Sequence, residues 1–527
     1  MTKTLRVSSL RRFALLGCAA AFLVTFAVPL QADQHRARLS RDLADQVASG
    51  AAASSRVIVS GSEAEVQALA VRYGARVKKA LRGGAVLELT GGQLDALSQD
   101  PDVDHLSGDV PVHRMMAVTR QATGADQVWR DLDGPRGFTG RGIGVAIVDS
   151  GVANHKALRK RIAVSVDFTD VSRNGGDQFG HGTHVAGIVA AGDDAEYAGI
   201  APGAHIVSLR VLGADGSGET SDVINAIDWA IEQKARYNIR VLNLSLGHPV
   251  FESYRDDPLC QAVQRAVDAG IVVVAAAGNL GKTDDGRPVV GGVISPGNTP
   301  AALTVGALNT RGTPQRSDDV MATYSSRGPT AIDTVLKPEL VAPGNKIVAA
   351  AAAGSYLAET YPERIVAGHG TNAYIELSGT SMASAVVSGA AALLLEANPS
   401  LTPSDVKLVL QLTSSRVPGA GLIEVGAGSL NVAAALTLGT GNGRTLSVET
   451  IAGEIVRCGG LAYGPVTSSP FVSRIDEQYL VAGTSLVRGG TILWGNSIVW
   501  TNSIVWTNSI VWTNSIVWTE SAPLIGD

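Results

Sequence analysis

The chain has 527 residues; 45% are hydrophobic, 17% are charged and 60 are glycine. This length exceeds one ordinary domain, and the composition belongs to a globular chain with a large core and many tight turns, which excludes a disordered one. The net charge of −5 provides no basic field, so no nucleic-acid partner is expected.

Residues 1–32 read as an export signal. Lys3, Arg6, Arg11 and Arg12 precede an apolar run from Phe13 to Leu30, with a cut expected after Ala32. The run is barely long enough to span a membrane, so an uncleaved anchor is the alternative. Its Ala-rich make-up favours a cleaved peptide, no stable transmembrane segment afterwards, and a secreted or cell-envelope protein. Removal takes Cys18. Cys260 and Cys458 remain, a pair that an oxidising compartment would allow to bridge but no disulfide framework.

Residues 55 to 110 alternate regularly. "SRVIVSG" reads as a strand and "SEAEVQALAVRYG" as a helix, with Ser62 as cap and Glu65 three residues on. "ARVKKALRGGAVLELT" reads as two strands around a Gly-Gly turn, "GGQLDALSQDPDV" as a second helix and "VDHLSGDVPVHR" as a last strand. The order β-α-β-β-α-β predicts a small α+β ferredoxin-like unit.

From about residue 140 short β-rich runs appear: "GIGVAIVD", "HIVSLRVL", "VLNLSLG" and "IVVVAAAGN". Helical patterns such as "SDVINAIDWAIEQKARY" and "PLCQAVQRAVDAG" lie between them. Strands apolar on both faces, alternating with helices, predict an α/β fold: a parallel sheet flanked by helices. Trp229 shares an apolar stripe with Ile224, Ile227 and Ile231 and reads as core.

Past about residue 440 the chain turns Gly/Ser/Thr-rich. A hexad repeat then fills 494–519: "WGNSIV", "WTNSIV" three times and the first two residues of a final "WTES". An even period puts Trp, Asn and Ile on one face of a strand, so a β-rich surface-association segment is expected, with a structureless repeat as the alternative.

Three polar residues stand where such a sheet gathers active-site groups, beyond the carboxyl ends of its strands. Asp149 ends "GIGVAIVD", His181 opens "HGTHVAGIVAA", and Ser381 precedes the apolar run of "GTSMASAVVSGAAALLLEA". Each alone reads equally well as a cap or turn residue. Jointly they are the parts for acyl transfer.

"VAIVDSGVANHKAL", "GHGTHVAGIVAA" and "GTSMASAVVSGAAALL" resemble, in the order Asp, His, Ser, the catalytic blocks of subtilisin-like serine proteases. "LNLSLG", "VVAAAGN", "YSSRGP", "LKPELVAPG" and "GAGSLNVAAAL" resemble further blocks, so the likeness runs from about 140 to 435. One departure is Ala385, where the family usually has proline; alanine is a good helix former, and little catalytic loss is expected.

The resemblance implies a secreted serine endopeptidase working through an acyl-enzyme on protein or peptide substrates. Ser381 would attack, His181 would move the proton, and Asp149 would orient the imidazole. Asn279 would supply an oxyanion donor. Ser245, Leu246 and Gly247, with Ala276, Ala277 and Gly278, would line the substrate strand and specificity pocket, and Ile294 would sit near the pocket floor, favouring an apolar side chain of limited size. No metal or cofactor is expected for the chemistry. Structural calcium at Asp193, Asp194 and Glu196 is possible, but an acidic surface loop is the preferred account. The resemblance also makes residues 33–116 a propeptide, a transient inhibitor and folding aid cut by Ser381 itself between His113 and Thr119. It leaves 117–440 as the catalytic domain and 441–527 as a C-terminal extension. The alternative is a catalytically weak binding protein of the same fold that acts through its repeat tail.

Overall fold

The computed structural model describes residues 36–50, 54–81, 83–109, 115–129, 137–169, 176–192, 197–441, 446–464, 481–482, 509–511 and 517–519. The export signal expected at 1–32, and Asp193, Asp194 and Glu196, lie outside them. The chain divides into two units after Pro111.

The first unit opens with β1 (Arg38–Leu39) and α1 (Arg41–Ser49), which the sequence reading did not anticipate. There follow β2 (Ser55–Ser60), α2 (Glu63–Arg72), β3 (Arg76–Leu81), β4 (Gly84–Leu89), α3 (Gly91–Ser98) and β5 (His105–Gly108). The expected cap holds α2: Ser62 N donates to Glu65 Oε2 at 2.8 Å, and Glu65 N to Ser62 Oγ at 3.4 Å. The sheet order is β1-β5-β2-β4-β3, antiparallel except for the β1–β5 edge pair. Val57, Val59, Val66, Leu69, Leu87, Leu94 and Leu97 form its core.

The second unit begins with α4 (Met115–Thr123) and α5 (Ala125–Val128). Its main strands and helices alternate: β6 (Gly144–Asp149), β7 (Ile162–Asp167), α6 (His181–Ala190), β8 (His205–Arg210), α7 (Thr220–Glu232), β9 (Ile239–Leu244), α8 (Pro258–Asp268), β10 (Val272–Ala276) and β11 (Leu303–Asn309). The short β12 (Val320–Met321) pairs antiparallel with β11, and β13 (Leu340–Pro343) pairs parallel with it. The order β7-β8-β6-β9-β10-β11 is parallel throughout. Successive side chains of a strand point to opposite faces. Val145 and Ile147 of β6 therefore join one core with α6, while Ala146 and Val148 join the other with α7 and α8. On α7 the fully buried face is Val223, Ala226, Ile227 and Ala230. Trp229 sits at the edge of that face, half-buried and stacked on Tyr237 at 6.0 Å.

Between β13 and the next long helix lies a small antiparallel sheet, β14 (Ile347–Ala350), β15 (Ile365–Ala367) and β16 (Tyr374–Leu377), with α9 (Tyr356–Thr360) in its first connection. The helix α10 (Thr380–Ala397) follows; it is long and apolar enough to cross a membrane, but 89% of it is buried in the protein, as a core helix. Then come α11 (Pro403–Thr413), α12 (Leu422–Val425) and α13 (Val432–Thr440). The folded unit continues past residue 440. The hairpin β17 (Val448–Ile451) and β18 (Glu454–Arg457) docks through Glu454, which accepts from Arg316 N at 2.7 Å and Ser317 N at 3.1 Å. Tyr463, in β19 (Tyr463–Gly464), is buried and exchanges two backbone bonds with the Gln411 amide, at 3.1 and 3.0 Å. β20 (Val481–Ala482) runs parallel to β19; in the hexad tail β21 (Ser509–Val511) pairs antiparallel with β22 (Val517–Thr519), Ile510 opposite Trp518.

Candidate active site

Asp149 has the strand parity of Val145 and Ile147, so it emerges at the carboxyl end of β6 on the face that packs against α6. His181 is the first residue of that helix. The approach is close: a Cβ added to Gly182 would lie 3.1 Å from Asp149 Cβ. His181 Nδ1 lies 2.8 Å from Asp149 Oδ1 and 2.9 Å from Oδ2. The carboxylate can only accept, so Nδ1 carries the proton and Nε2 is left as the basic nitrogen. Asp149 is fully buried, while the His181 side chain keeps 17% exposure. Burial alone would lower the His181 pKa. The charge of Asp149, its hydrogen bond and the charge of Asp177 together outweigh it and leave the imidazole above its ordinary value.

Asp177 did not stand out in the sequence. It is buried, and burial pushes its pKa up against four hydrogen bonds that favour the anion. Ser150 Oγ (2.8 Å) and Gly180 N (2.6 Å) donate to its Oδ1, and Thr183 N (2.8 Å) and Oγ1 (2.6 Å) to its Oδ2. It thereby satisfies the first turn of α6, whose cap residue Gly180 has no side chain to do so. Ser150 Oγ also accepts from Gly182 N at 2.9 Å, which ties Asp177 to the loop after Asp149.

Ser381 lies in the first turn of α10. Its Oγ donates to Ser245 O at 3.1 Å, and no hydrogen bond joins it to His181 in this structure. Asn279 Oδ1 accepts from Thr380 N at 3.0 Å and Thr380 Oγ1 at 3.1 Å, which leaves the amide Nδ2 pointing elsewhere. A Cβ added to Gly379 would lie 3.5 Å from that Nδ2 and 3.7 Å from Ser381 N, so both nitrogens border the space beside Gly379. The helix start is held from the sheet: Ser245 Oγ donates to Ser381 O at 3.0 Å and contacts Ser384 Oγ at 2.9 Å, and Asn243 Nδ2 donates to Ser245 Oγ at 2.8 Å.

Ser245–Gly247 follows β9, and Ala276–Gly278 closes β10 and follows it. Gly247 is exposed, whereas Leu246 turns its side chain toward the core under α7 and α8, and Ala276 and Ala277 are buried. Ile294 lies between the two segments. Its Cδ1 would be 2.8 Å from a Cβ on Gly247, and its Cγ2 2.9 Å from one on Gly278.

Residues 140–438 match the model of the Subtilase family. The chain belongs to the subtilase family. It is a serine endopeptidase, and its relatives agree. It is 35% identical over 328 residues to "Serine protease AprX" of Bacillus subtilis (strain 168), covering 61% of this chain and 71% of that protein. It is 36% identical over 361 residues to an "Extracellular serine proteinase" of Thermus sp. (strain Rt41A), covering 66% and 76%. Subtilisin E of Bacillus subtilis (strain 168) is 33% identical over 336 residues, covering 62% and 76%.

In this subtilase the other histidines within the family blocks are structural. His155 Nε2 donates to Ala373 O at 2.9 Å while its Nδ1 accepts from Ala157 N at 3.2 Å. His184 Nε2 faces the carbonyls of Ile347 and Ile375, both at 3.1 Å. Burial, with the nearby His181, pushes the His184 pKa down to about 3, so it stays neutral. Ala385 is fully buried and continues α10 without a break. Cys260 and Cys458 are free thiols; Cys260 Sγ donates to Asn298 Oδ1 at 3.2 Å and Cys458 Sγ to Ser447 O at 3.3 Å.

Proposed function

We propose that Ser381, His181 and Asp149 are the nucleophile, the proton carrier and its orienting carboxylate of this endopeptidase. The observation that carries the reading is the two-oxygen grip of Asp149 on His181 Nδ1, at 2.8 and 2.9 Å. It leaves Nε2 basic and its cation stabilised. Ser381 Oγ exchanges Ser245 O for Nε2 and attacks the peptide carbonyl; His181 then protonates the leaving amine, and water repeats the sequence on the ester. Asn279 Nδ2 and Ser381 N–H receive the developing oxyanion at the positive end of α10. A fluorophosphonate should label the wild type at Ser381 and fail on Ser381→Ala and His181→Ala. Equal labelling of all three refutes the assignment.

Ile294 shortens the pocket between Gly247 and Gly278, so cleavage follows a small apolar side chain. Release outside the cell accords with the export signal read at 1–32 and with the relative titled an extracellular proteinase. The first unit acts as a transient inhibitor and folding aid, removed by Ser381. The expected cut window of 113–119 overlaps α4, where Met116, Val118 and Thr119 are buried in the second unit. The cut therefore falls N-terminal to Met116. Ser381→Ala, purified free of other proteases, should keep residues 33–115 attached; loss of that segment overturns self-cleavage.

A further inference from the structure

Asn279 is exposed, so packing does little to hold it. Its side-chain Oδ1 is tied to Thr380, but the reach of Nδ2 also depends on where the Asn279 backbone lies. Both chain neighbours of Asn279 are bonded to one residue, Ser326, in the loop after β12. Ser326 N donates to Gly278 O at 2.9 Å, and Ser326 Oγ accepts from Leu280 N at 3.0 Å. Ser326 is fully buried, and the fit is close: a Cβ on Gly278, whose φ is 101°, would lie 3.0 Å from Ser326 Oγ. One residue further on, Gly281 N donates to Tyr324 O at 2.8 Å. Ser325 is equally buried in the same loop but is turned to the sheet, where its Oγ accepts from Ala307 N of β11 at 3.0 Å.

A peptide unit is planar from one Cα to the next. Gly278 O belongs to the plane that ends at Asn279 Cα, and Leu280 N to the plane that starts there. Ser326 therefore fixes both planes that meet at Asn279 Cα, the point from which Nδ2 reaches out. An oxyanion donor works only at about 2.7–3.1 Å from the developing charge, and a misplacement of about 1 Å can cost about 100-fold in rate. We propose that Ser326 is a positioning residue for the oxyanion donor Asn279. It touches no substrate and moves no proton; it sets where the amide stands. The inference rests on the oxyanion role proposed for Asn279 above.

The test compares purified enzymes, each matched by mass to the wild type, on one fluorogenic peptide. Ser326→Ala keeps the backbone bond to Gly278 O and removes the acceptor of Leu280 N. Its kcat should fall about 10-fold, a part of the roughly 100- to 1,000-fold loss of a whole donor, with KM within about 2-fold because the donor acts in the transition state. Ser325→Ala, which removes a like bond from β11, should keep kcat within about 2-fold. Asn279→Ala should lower kcat about 100-fold or more, and in that background Ser326→Ala should change it by less than about 2-fold, because no donor is left to position. Ser326→Cys, a weaker acceptor, should behave like Ser326→Ala and stands in for it if the alanine variant does not fold. An unchanged kcat in Ser326→Ala, a loss carried by KM, the same fall in Ser325→Ala, or an equal fall with and without Asn279 overturns the positioning role. An unchanged kcat in Asn279→Ala instead overturns the underlying oxyanion reading.

Discussion

Asp177→Asn separates a positioning carboxylate from a filler. Asp177 takes two donors on each oxygen: Ser150 Oγ and Gly180 N on one, Thr183 N and Oγ1 on the other. Asparagine offers one oxygen and one NH2. Whichever way it turns, a hydroxyl and a backbone N–H face amide hydrogens. The hydroxyl can rotate and accept; the N–H cannot. One buried donor is orphaned, a loss of about 1–3 kcal/mol. The substitution also removes a negative charge that holds the His181 pKa up. The base must be neutral to act, so kcat/KM rises with pH through that pKa, and lowering it moves the acidic limb to lower pH. Urea unfolding in the Ser381→Ala background measures the first effect, and a pH–rate profile of Asp177→Asn in the active enzyme the second. A stability change below about 0.5 kcal/mol, the range of neutral surface changes, or a limb that stays or moves to higher pH, refutes the reasoning.

Three further outcomes follow from the geometry. Gly379→Ala, at an extended φ of 165° that any residue adopts, should leave the urea midpoint in place while its methyl displaces the oxyanion, lowering kcat about 100-fold; unchanged kcat would place the oxyanion elsewhere. Ile294→Gly should move cleavage from small toward large apolar side chains in a peptide library, and an unaltered profile removes Ile294 from the pocket. Glu454→Ala should destabilise by about 1–3 kcal/mol, because Arg316 N and Ser317 N lose their acceptor, with kcat/KM on peptides unchanged; a fall in activity at full stability would tie the hairpin to the site instead.

What could be read along the chain is what local periodicity and capping encode. Ser62 and Glu65 announce α2 because they bond across three residues. Val145, Ile147 and Asp149 announce both a strand and the face on which its carboxylate emerges. Asp149, at the end of a strand, and His181 and Ser381, in the first turns of two apolar helices, could each be placed on its element from the sequence, though only their joint pattern pointed to acyl transfer. Boundaries set by distant contacts were not legible. Nothing in "SVETIAGEIVRCGG" shows that Glu454 will meet Arg316, which places a hairpin beyond residue 440 in the folded unit. Asp177 did not stand out in the sequence, and its weight comes from Ser150, which the sheet brings to it from 27 positions away. The Leu246 side chain packs on the core that α7 and α8 share, a direction that the helices beneath a strand end decide. Ser325 and Ser326 are adjacent serines in sequence. One meets Ala307 and the other Leu280 only because the loop after β12 folds between β11 and the residues around Asn279, and such a contact is set by the packing of whole elements, which the spacing of residues along one segment does not record.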